Sequence, residues 1–144
     1  MKRRIFLICP VRGIDPETKQ AIAGYVRQIE AEDVEVYWPA RDTDQTDQHG
    51  WTICTRNRSA ILDANEIHIW YDPKSIGSVF DIGMVFALFG VGWVKKVVIA
   101  NPDAVQPTPG KSFENVLLKL RDETEQYFAL RDSIRKSAKH PSEL

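Results

Sequence analysis

The chain alternates short strand-like runs with longer segments of helical periodicity. Four runs predict strands, the first apolar throughout as in a strand buried on both faces, and they cover residues 5–9, 33–38, 66–71 and 95–100. Apolar residues at helical spacing predict helices over residues 15–31, 51–64, 79–91 and 112–136. This alternation predicts an α/β fold with a parallel sheet and helices on both of its faces.

The length favours one domain. A chain of 144 residues is the usual size of a single domain and can bury a core without disulfides. We predict a single domain over residues 1–144, with a core over about 4–101 and a C-terminal helix over about 112–136. The sheet has four strands, or five if a short strand is present at 103–106.

Composition and charge exclude several classes of function. The net charge of −1 gives no basis for broad electrostatic binding to nucleic acid or an anionic membrane, so neither is an expected partner. No segment approaches the roughly 20 apolar residues of a membrane span, and we expect a cytoplasmic protein. Cys9 lies in an apolar run and is expected to be a buried thiol. No Cys or His pair has metal-ligand spacing, so we expect no metal and no cofactor.

The ligand site is expected beyond the carboxyl ends of the strands, as in other open parallel sheets. The loops after the first and third strands, residues 10–13 and 71–78, are short and each precedes a helix N-terminus. Such a terminus offers free N–H groups and the positive end of the helix dipole, which suits a phosphate. Arg12 adds a side chain that can hold an anion through two hydrogen bonds.

The stretch S-I-G-S-V-F-D-I-G, residues 75–83, places a carboxylate at the junction between the third strand and its helix. Ser78 and Asp81 match the [ST]-x-x-[DE] pattern of a capping box, and on local sequence alone a cap is the preferred interpretation. A cap does not, however, require the combined spacing of Ser75, Gly77, Asp81 and Gly83. The whole stretch therefore also favours a role for Asp81 in chemistry.

This stretch resembles the nucleoside 2-deoxyribosyltransferase-like superfamily, and within it the deoxynucleoside 5'-monophosphate N-glycosidases. That group carries S-x-G-x-x-x-E-x-G after its third strand. Ser75, Gly77 and Gly83 match, and Asp81 stands at the glutamate. The first strand and the turn containing Arg12-Gly13 are also similar to the family's opening strand and phosphate-binding turn. The resemblance covers roughly residues 4–101 and implies a flavodoxin- or Rossmann-like three-layer sandwich.

The resemblance implies cleavage of the bond between a base and C1' of deoxyribose. Asp81 is then the nucleophile that forms a glycosyl-enzyme, which water or another base resolves. Ser75 and Gly77, with the Arg12-Gly13 turn, are expected to hold the 5'-phosphate. Transferases for free nucleosides have aspartate at the position of Ser75. Serine avoids repulsion with a phosphate, so a nucleoside 5'-monophosphate is the expected ligand.

Three positions depart from the family's pattern. Asp81 is one methylene shorter than the family's glutamate. Asn57 stands where the family has an aspartate implicated in proton transfer to the base, and an amide cannot be a general acid. Phe6 replaces a tyrosine found in some transferases. Asp42, Asp44 and Asp47 lie in a polar loop and could replace the missing acid, although a solvated connection is the simpler interpretation for each.

Two other functions remain open, and the family implies an assembly. One alternative is a nucleotide-binding sensor of the same fold without turnover, which the substitutions at Asn57 and Asp81 favour. The other is a nicotinamide dinucleotide glycohydrolase. Family members are commonly dimers or larger, which implies a homodimer or higher homo-oligomer. The apolar face of the long C-terminal helix is the expected contact, unless that helix only covers the sheet.

Overall fold

A computed structural model describes residues 2–139 as an α/β fold of Rossmann or flavodoxin type, forming a single domain around one sheet. Its four strands are all parallel and lie in the order β2-β1-β3-β4. Their bounds are β1 Arg3–Ile8, β2 Val34–Tyr37, β3 Glu66–Ile69 and β4 Lys96–Ile99. The predicted sheet is confirmed. A fifth strand at 103–106 is wrong, because the chain there forms a 3₁₀ turn, Pro102–Ala104.

Five α-helices connect or follow the strands, with bounds α1 Pro16–Ile29, α2 Pro39–Asp42, α3 Trp51–Asp63, α4 Ile76–Gly90 and α5 Phe113–Ala138. Asp15 caps α1, its side chain accepting a hydrogen bond of 2.7 Å from the Thr18 N–H. The short helix α2 occupies the start of the predicted polar loop. α4 begins three residues earlier than the apolar pattern indicates. No helix within residues 2–139 is long and apolar enough to cross a membrane.

The central strand β1 divides the core in two, because its side chains alternate between the faces of the sheet. Phe6 and Ile8 pack beneath α3, α4 and α5, in a cluster that includes Ile61, Val85 and Leu117. Ile5 and Leu7 face the other way and pack against α1 with Ile22, Val26, Val34 and Val36. Helices therefore lie on both faces of the sheet, as predicted.

The helix α5 covers the free edge of β4. The Val97 N–H, which points away from β3, donates a buried hydrogen bond of 3.1 Å to the Thr124 hydroxyl. Thr124 is fully buried, and Leu117 and Leu120 are the other buried residues of α5. An unpaired strand edge would invite pairing with another chain, so this helix protects the sheet.

A chain of polar contacts crosses the α1 face of the sheet at β3. Glu66 accepts hydrogen bonds of 3.1 and 2.8 Å from the Arg3 guanidinium and lies 3.0 Å from Nε2 of His68. Nδ1 of the buried His68 lies 2.6 Å from the Tyr25 hydroxyl. Hydrogen bonds from His68 and Arg3 lower the pKa of Glu66 to about 2. An ionised Glu66 only accepts, so Nε2 of His68 donates to it.

We expect Glu66→Gln to lower the free energy of unfolding by roughly 1–2 kcal/mol at pH 7, because the amide cannot reproduce the charge-assisted hydrogen bonds with Arg3. In the unfolded chain Glu66 has its ordinary pKa of 4.5, whereas in the folded chain its pKa is about 2. This contribution to stability is complete above pH 4.5 and is lost as the pH falls towards 2.

Thermal unfolding measured from pH 2 to 7 tests this expectation. The Tm difference between wild type and Glu66→Gln should be about 5 °C at pH 7 and should vanish near pH 2. Glu35→Gln, at an exposed position on β2, is the matched control and should change Tm little at any pH. A Glu66→Gln difference that is independent of pH would contradict the assignment.

Candidate functional site

The sheet order places a topological switch point between the carboxyl ends of β1 and β3. From β1 the chain crosses to β2 on one side, and from β2 it returns to β3 on the other, so the connections diverge between β1 and β3. In open α/β sheets ligands bind at such a switch point. Ile8 pairs with Ile69, and the Trp70 N–H donates a hydrogen bond of 2.8 Å to the Ile8 carbonyl. The loops after β1 and β3 therefore leave the sheet side by side.

The loop from β3 to α4 is held by hydrogen bonds at both ends. Tyr71 donates its hydroxyl proton to Glu114 of α5 at 2.5 Å. The Asn101 side chain bridges the backbone N–H and C=O of Tyr71 at 2.7 and 2.8 Å. Asp72 forms a turn, in which its side chain accepts a hydrogen bond of 2.9 Å from the Lys74 N–H. The start of α4 is thus fixed to the body of the domain.

Ser75 is the N-cap of α4, and its hydroxyl accepts a hydrogen bond of 3.3 Å from the Ser78 N–H. The capping-box interpretation of Ser78 and Asp81 is therefore wrong, because Ser78 lies inside the first turn and Asp81 in the second. Among the described residues, the N–H groups of Ile76 and Gly77 have no hydrogen-bond partner. A Cβ added at Gly77 would meet nothing within 4 Å. The N-terminus of α4 is therefore open, and free N–H groups at a helix N-terminus suit an anion.

Asp81 is a buried carboxylate without a partner. Its relative exposure is 9%, and no described residue donates a hydrogen bond to it. Neither of its oxygens is among the fully enclosed unpartnered atoms, so both reach solvent. Burial raises its pKa from the ordinary value of 3.8 to about 7. A carboxylate that lowers stability and has no hydrogen-bond or ion-pair partner among the described residues is typical of a functional site.

Asp81 lies near the end of β1. Burial raises the pKa of the Cys9 thiol to about 12, and the negative charge of Asp81 adds to that rise. The Trp38 indole, at the end of β2, acts in the opposite direction and lowers the pKa of Cys9. Its buried Nε1 forms no hydrogen bond with a described residue. The sequence predicted a buried thiol at Cys9 but did not connect it with Asp81. Its position as the last residue of a predicted strand was the available signal that it belongs to this edge.

Arg12 and Gly13 lie in the exposed loop that follows β1. Gly13 has φ of 66°, in the left-handed region that favours glycine. Within residues 2–139 the Arg12 guanidinium forms neither a salt bridge nor a hydrogen bond. The fold thus brings Arg12, Gly13, Ser75, Gly77 and Asp81 to one edge of the sheet, but within residues 2–139 no hydrogen bond or salt bridge joins Arg12 to the others.

Asn57 belongs to a separate hydrogen-bonded chain. Its side-chain oxygen accepts a bond of 3.0 Å from the Thr43 hydroxyl, which lies 2.6 Å from the Tyr37 hydroxyl. Asn57 is 8% exposed and has no hydrogen bond to Asp81. Phe6 is fully buried and stacks on Tyr37 at 5.5 Å between ring centroids, so it does not reach the sheet edge.

The three aspartates of the loop before α3 have structural roles. Asp42 accepts from the Trp38 N–H and pairs with Arg41, and Asp44 accepts from Thr46. Asp47 accepts from the N–H groups of His49 and Thr52, which supplies the cap that Gly50 cannot. Hydrogen bonds from Thr46 lower the pKa of Asp44. Desolvation raises the pKa of Asp47, but several backbone hydrogen bonds together outweigh it, so that pKa is lowered as well. Neither is suited to donate a proton near neutral pH.

The described cavities lie away from this edge. One of about 400 Å³ is lined by residues of β1, β2 and α3, and another of about 470 Å³ lies beside β2 and the end of α2. Asp81, Arg12 and Ser75 line neither of them. Within residues 2–139 no three His, Cys, Asp or Glu side chains cluster as metal ligands. Chemistry and topology, rather than enclosed volume, mark the candidate site.

Comparisons of the chain with protein-family models, with curated proteins and with solved structures found no match.

We expect Asp81→Asn to stabilise the fold. An unfolded chain ionises Asp81 above about pH 3.8, whereas the folded chain keeps the proton until about 7. The free energy of unfolding therefore falls as the pH rises through this window, by roughly 4 kcal/mol at pH 8. Asparagine carries no charge and avoids the loss.

Thermal unfolding from pH 4 to 8 measures the effect. Asp81→Asn should match wild type near pH 4 and unfold several degrees higher at pH 8. Asp132→Asn, on the exposed surface of α5, is the control and should show no such divergence. A lower Tm for Asp81→Asn than for wild type at pH 8 would contradict this expectation, because it would mean that the carboxylate stabilises the fold.

Proposed function

We propose that the chain is a nucleotide N-glycosidase or 2'-deoxyribosyltransferase that cleaves the base-to-C1' bond of a nucleoside 5'-monophosphate. The observation that carries the proposal is Asp81, a buried carboxylate without a hydrogen-bond partner among the described residues, at the switch point of the sheet. The resemblance of residues 75–83 to the deoxynucleoside 5'-monophosphate N-glycosidases assigns this position to the nucleophile. The raised pKa is consistent with a carboxylate whose charge no ion pair or hydrogen bond of the described residues stabilises, as at many functional sites.

In the proposed reaction a carboxylate oxygen of Asp81 attacks C1' and forms a glycosyl ester. The C1'–N bond breaks, and its electron pair leaves with the base, which takes up a proton. Water then attacks C1' and the C1'–O bond of the ester breaks, which restores the Asp81 carboxylate and releases the sugar phosphate and a proton. In a transfer, the nitrogen of a second base attacks C1' in place of water and the same bond breaks. Ionised Asp81 is required, so we place the working range above about pH 7.

The phosphate is assigned to the open N-terminus of α4 and to the loop after β1. The free N–H groups of Ile76 and Gly77, with the Ser75 hydroxyl, offer donors beside the positive end of the helix dipole. Arg12, which has no partner within the described residues, supplies the opposite charge. Ser75 carries no charge, which favours a phosphorylated nucleotide over a free nucleoside.

A specific observation favours a second candidate, a nucleotide sensor without turnover. Asn57 stands at the position of the family's proton donor, and its oxygen is already bound by Thr43. An amide cannot protonate a departing base, so the base must take its proton from water. The same phosphate site at the switch point would then bind a nucleotide without rapid cleavage.

Base release separates these functions. The purified chain is incubated with nucleoside and deoxynucleoside 5'-monophosphates and with a nicotinamide dinucleotide, and free base is measured by chromatography. We expect release from a monophosphate that is lost in Asp81→Ala and Asp81→Asn but measurable in Asp81→Glu, which keeps the carboxylate. Asp132→Asn, at an exposed position of α5, is the control and should release base as wild type does.

Each alternative has its own outcome in this assay. Absence of release, with a higher Tm in the presence of a monophosphate, would replace the enzyme with the sensor. Preferential cleavage of the dinucleotide would indicate a nicotinamide dinucleotide glycohydrolase. Release that survives in Asp81→Asn would exclude Asp81 as the nucleophile.

The phosphate assignment is tested by binding of a monophosphate to Arg12→Gln and Gly77→Ala. We expect each to weaken binding about 10-fold or more, because one loses a charged hydrogen bond and the other places a methyl group at the anion site. Neither should lower Tm, since Arg12 has no partner within residues 2–139 and a Cβ at Gly77 meets open space.

Matched controls are Arg58→Gln on the exposed side of α3 and Gly24→Ala inside α1. The nucleoside without phosphate is the control ligand, and its affinity should be unchanged by Arg12→Gln. Equal losses for the nucleoside and the monophosphate would place the phosphate elsewhere.

A further inference from the structure

The polarity of α4 is the reverse of an ordinary surface helix. Its one charged residue, Asp81, faces inward with Ser78 and Val85. Its outward residues are apolar, and Ile76, Phe80, Phe86 and Val91 at its C-cap are 86, 57, 54 and 72% exposed. A helix that is apolar on all sides is normally buried. We call this surface the α4 outer face, made of Ile76, Phe80, Gly83, Phe86, Ala87, Gly90 and Val91.

The exposed area suits an interface between protein chains. A buried aromatic side chain covers roughly 150–250 Å², and the exposed parts of Phe80 and Phe86, together with those of the smaller Ile76 and Val91, leave on the order of 450 Å² of apolar surface open. That value is near the largest patch of a typical monomer, roughly 300–600 Å². It is also about half of the roughly 800 Å² that each partner buries in a standard interface. The small residues between them and the exposed Trp93 supply further area.

A groove of small residues runs along the same face. Gly83, Ala87 and Gly90 recur at helical spacing and are exposed. A Cβ added at Gly83 or Gly90 would meet nothing within 4 Å, so packing inside this chain does not require either glycine. Glycine weakens a helix relative to alanine. The groove would allow the backbone of a second helix to approach closely.

We propose that the α4 outer face is the interface of a homodimer, in which α4 crosses its counterpart about a twofold axis near Gly83 and Ala87. A twofold contact requires one patch to fit itself, and this patch has both the ridges, Phe80 and Phe86, and the groove between them. The face carries no charge, so no like-charge repulsion opposes pairing of identical surfaces. The proposal does not depend on the chemistry assigned to Asp81.

The structure thereby shifts the expected contact from α5 to α4. The exposed apolar residues of the second half of α5, Tyr127, Leu130 and Ile134, lie among many charged residues. Long charged helices of this kind are compatible with solvent on that side. The two surfaces can be distinguished by substitution.

Light scattering after size exclusion measures the assembly of the full chain at micromolar concentration. We expect wild type at twice the chain mass of 16.4 kDa and Phe86→Glu at the single mass, with an unchanged far-UV circular dichroism spectrum. Leu130→Glu and Trp51→Glu, at exposed apolar positions outside this face, should remain dimers. A monomeric wild type, which would leave the face to a different partner, overturns the proposal. Loss of the dimer only in Leu130→Glu overturns it as well.

A disulfide trap tests the geometry without disturbing the fold. Cys54 is exposed and is first replaced by serine, whereas Cys9 is buried. Ala87→Cys in this background should form an intermolecular disulfide almost completely under mild oxidation, because residues near a twofold axis meet their own copies. Leu130→Cys is the control and should remain uncrosslinked. Crosslinking through Leu130→Cys but not Ala87→Cys would overturn the proposed axis.

Discussion

The structure depends on the position of β1 between β2 and β3. This strand forms parallel hydrogen bonds along both edges and is buried on both faces from Ile5 to Ile8. The two cores form on its two sides, and its carboxyl end is where the connections diverge. Because every strand is parallel, the loops after β1 and β3 emerge at the same edge. The candidate site is therefore a consequence of the sheet order.

The helix α4 carries two features that reduce the stability of an isolated chain. Asp81 places a carboxylate where burial disfavours its charge, and the outer face leaves large apolar side chains in water. Natural proteins retain destabilising features of this kind mainly where function requires them. A ligand at the inner side of α4 and a second copy at its outer side would account for both features.

The fold followed from the sequence to a large extent, because strands buried on both faces and amphipathic helices have different periods. The start of α4 did not, since Ser75 and Ser78 both match a cap and local sequence could not choose between them. The turn at Asp72 and the hydrogen bond from the Ser78 N–H to Ser75 decide it. Of the candidate site, Arg12, Gly13, Ser75, Gly77 and Asp81 come to one edge, whereas Asn57 joins Thr43 instead.

By itself, the sequence determined the α/β class, the parallel sheet and the elements that carry the candidate residues, because these depend on local periodicity and turn chemistry. Only the tertiary structure decided that Asp81 is buried without a partner, that it lies near Cys9, and that the apolar side of α4 faces outward. Those properties depend on which face of a helix meets the sheet. In a helix that is apolar on almost every side, packing rather than pattern makes that choice.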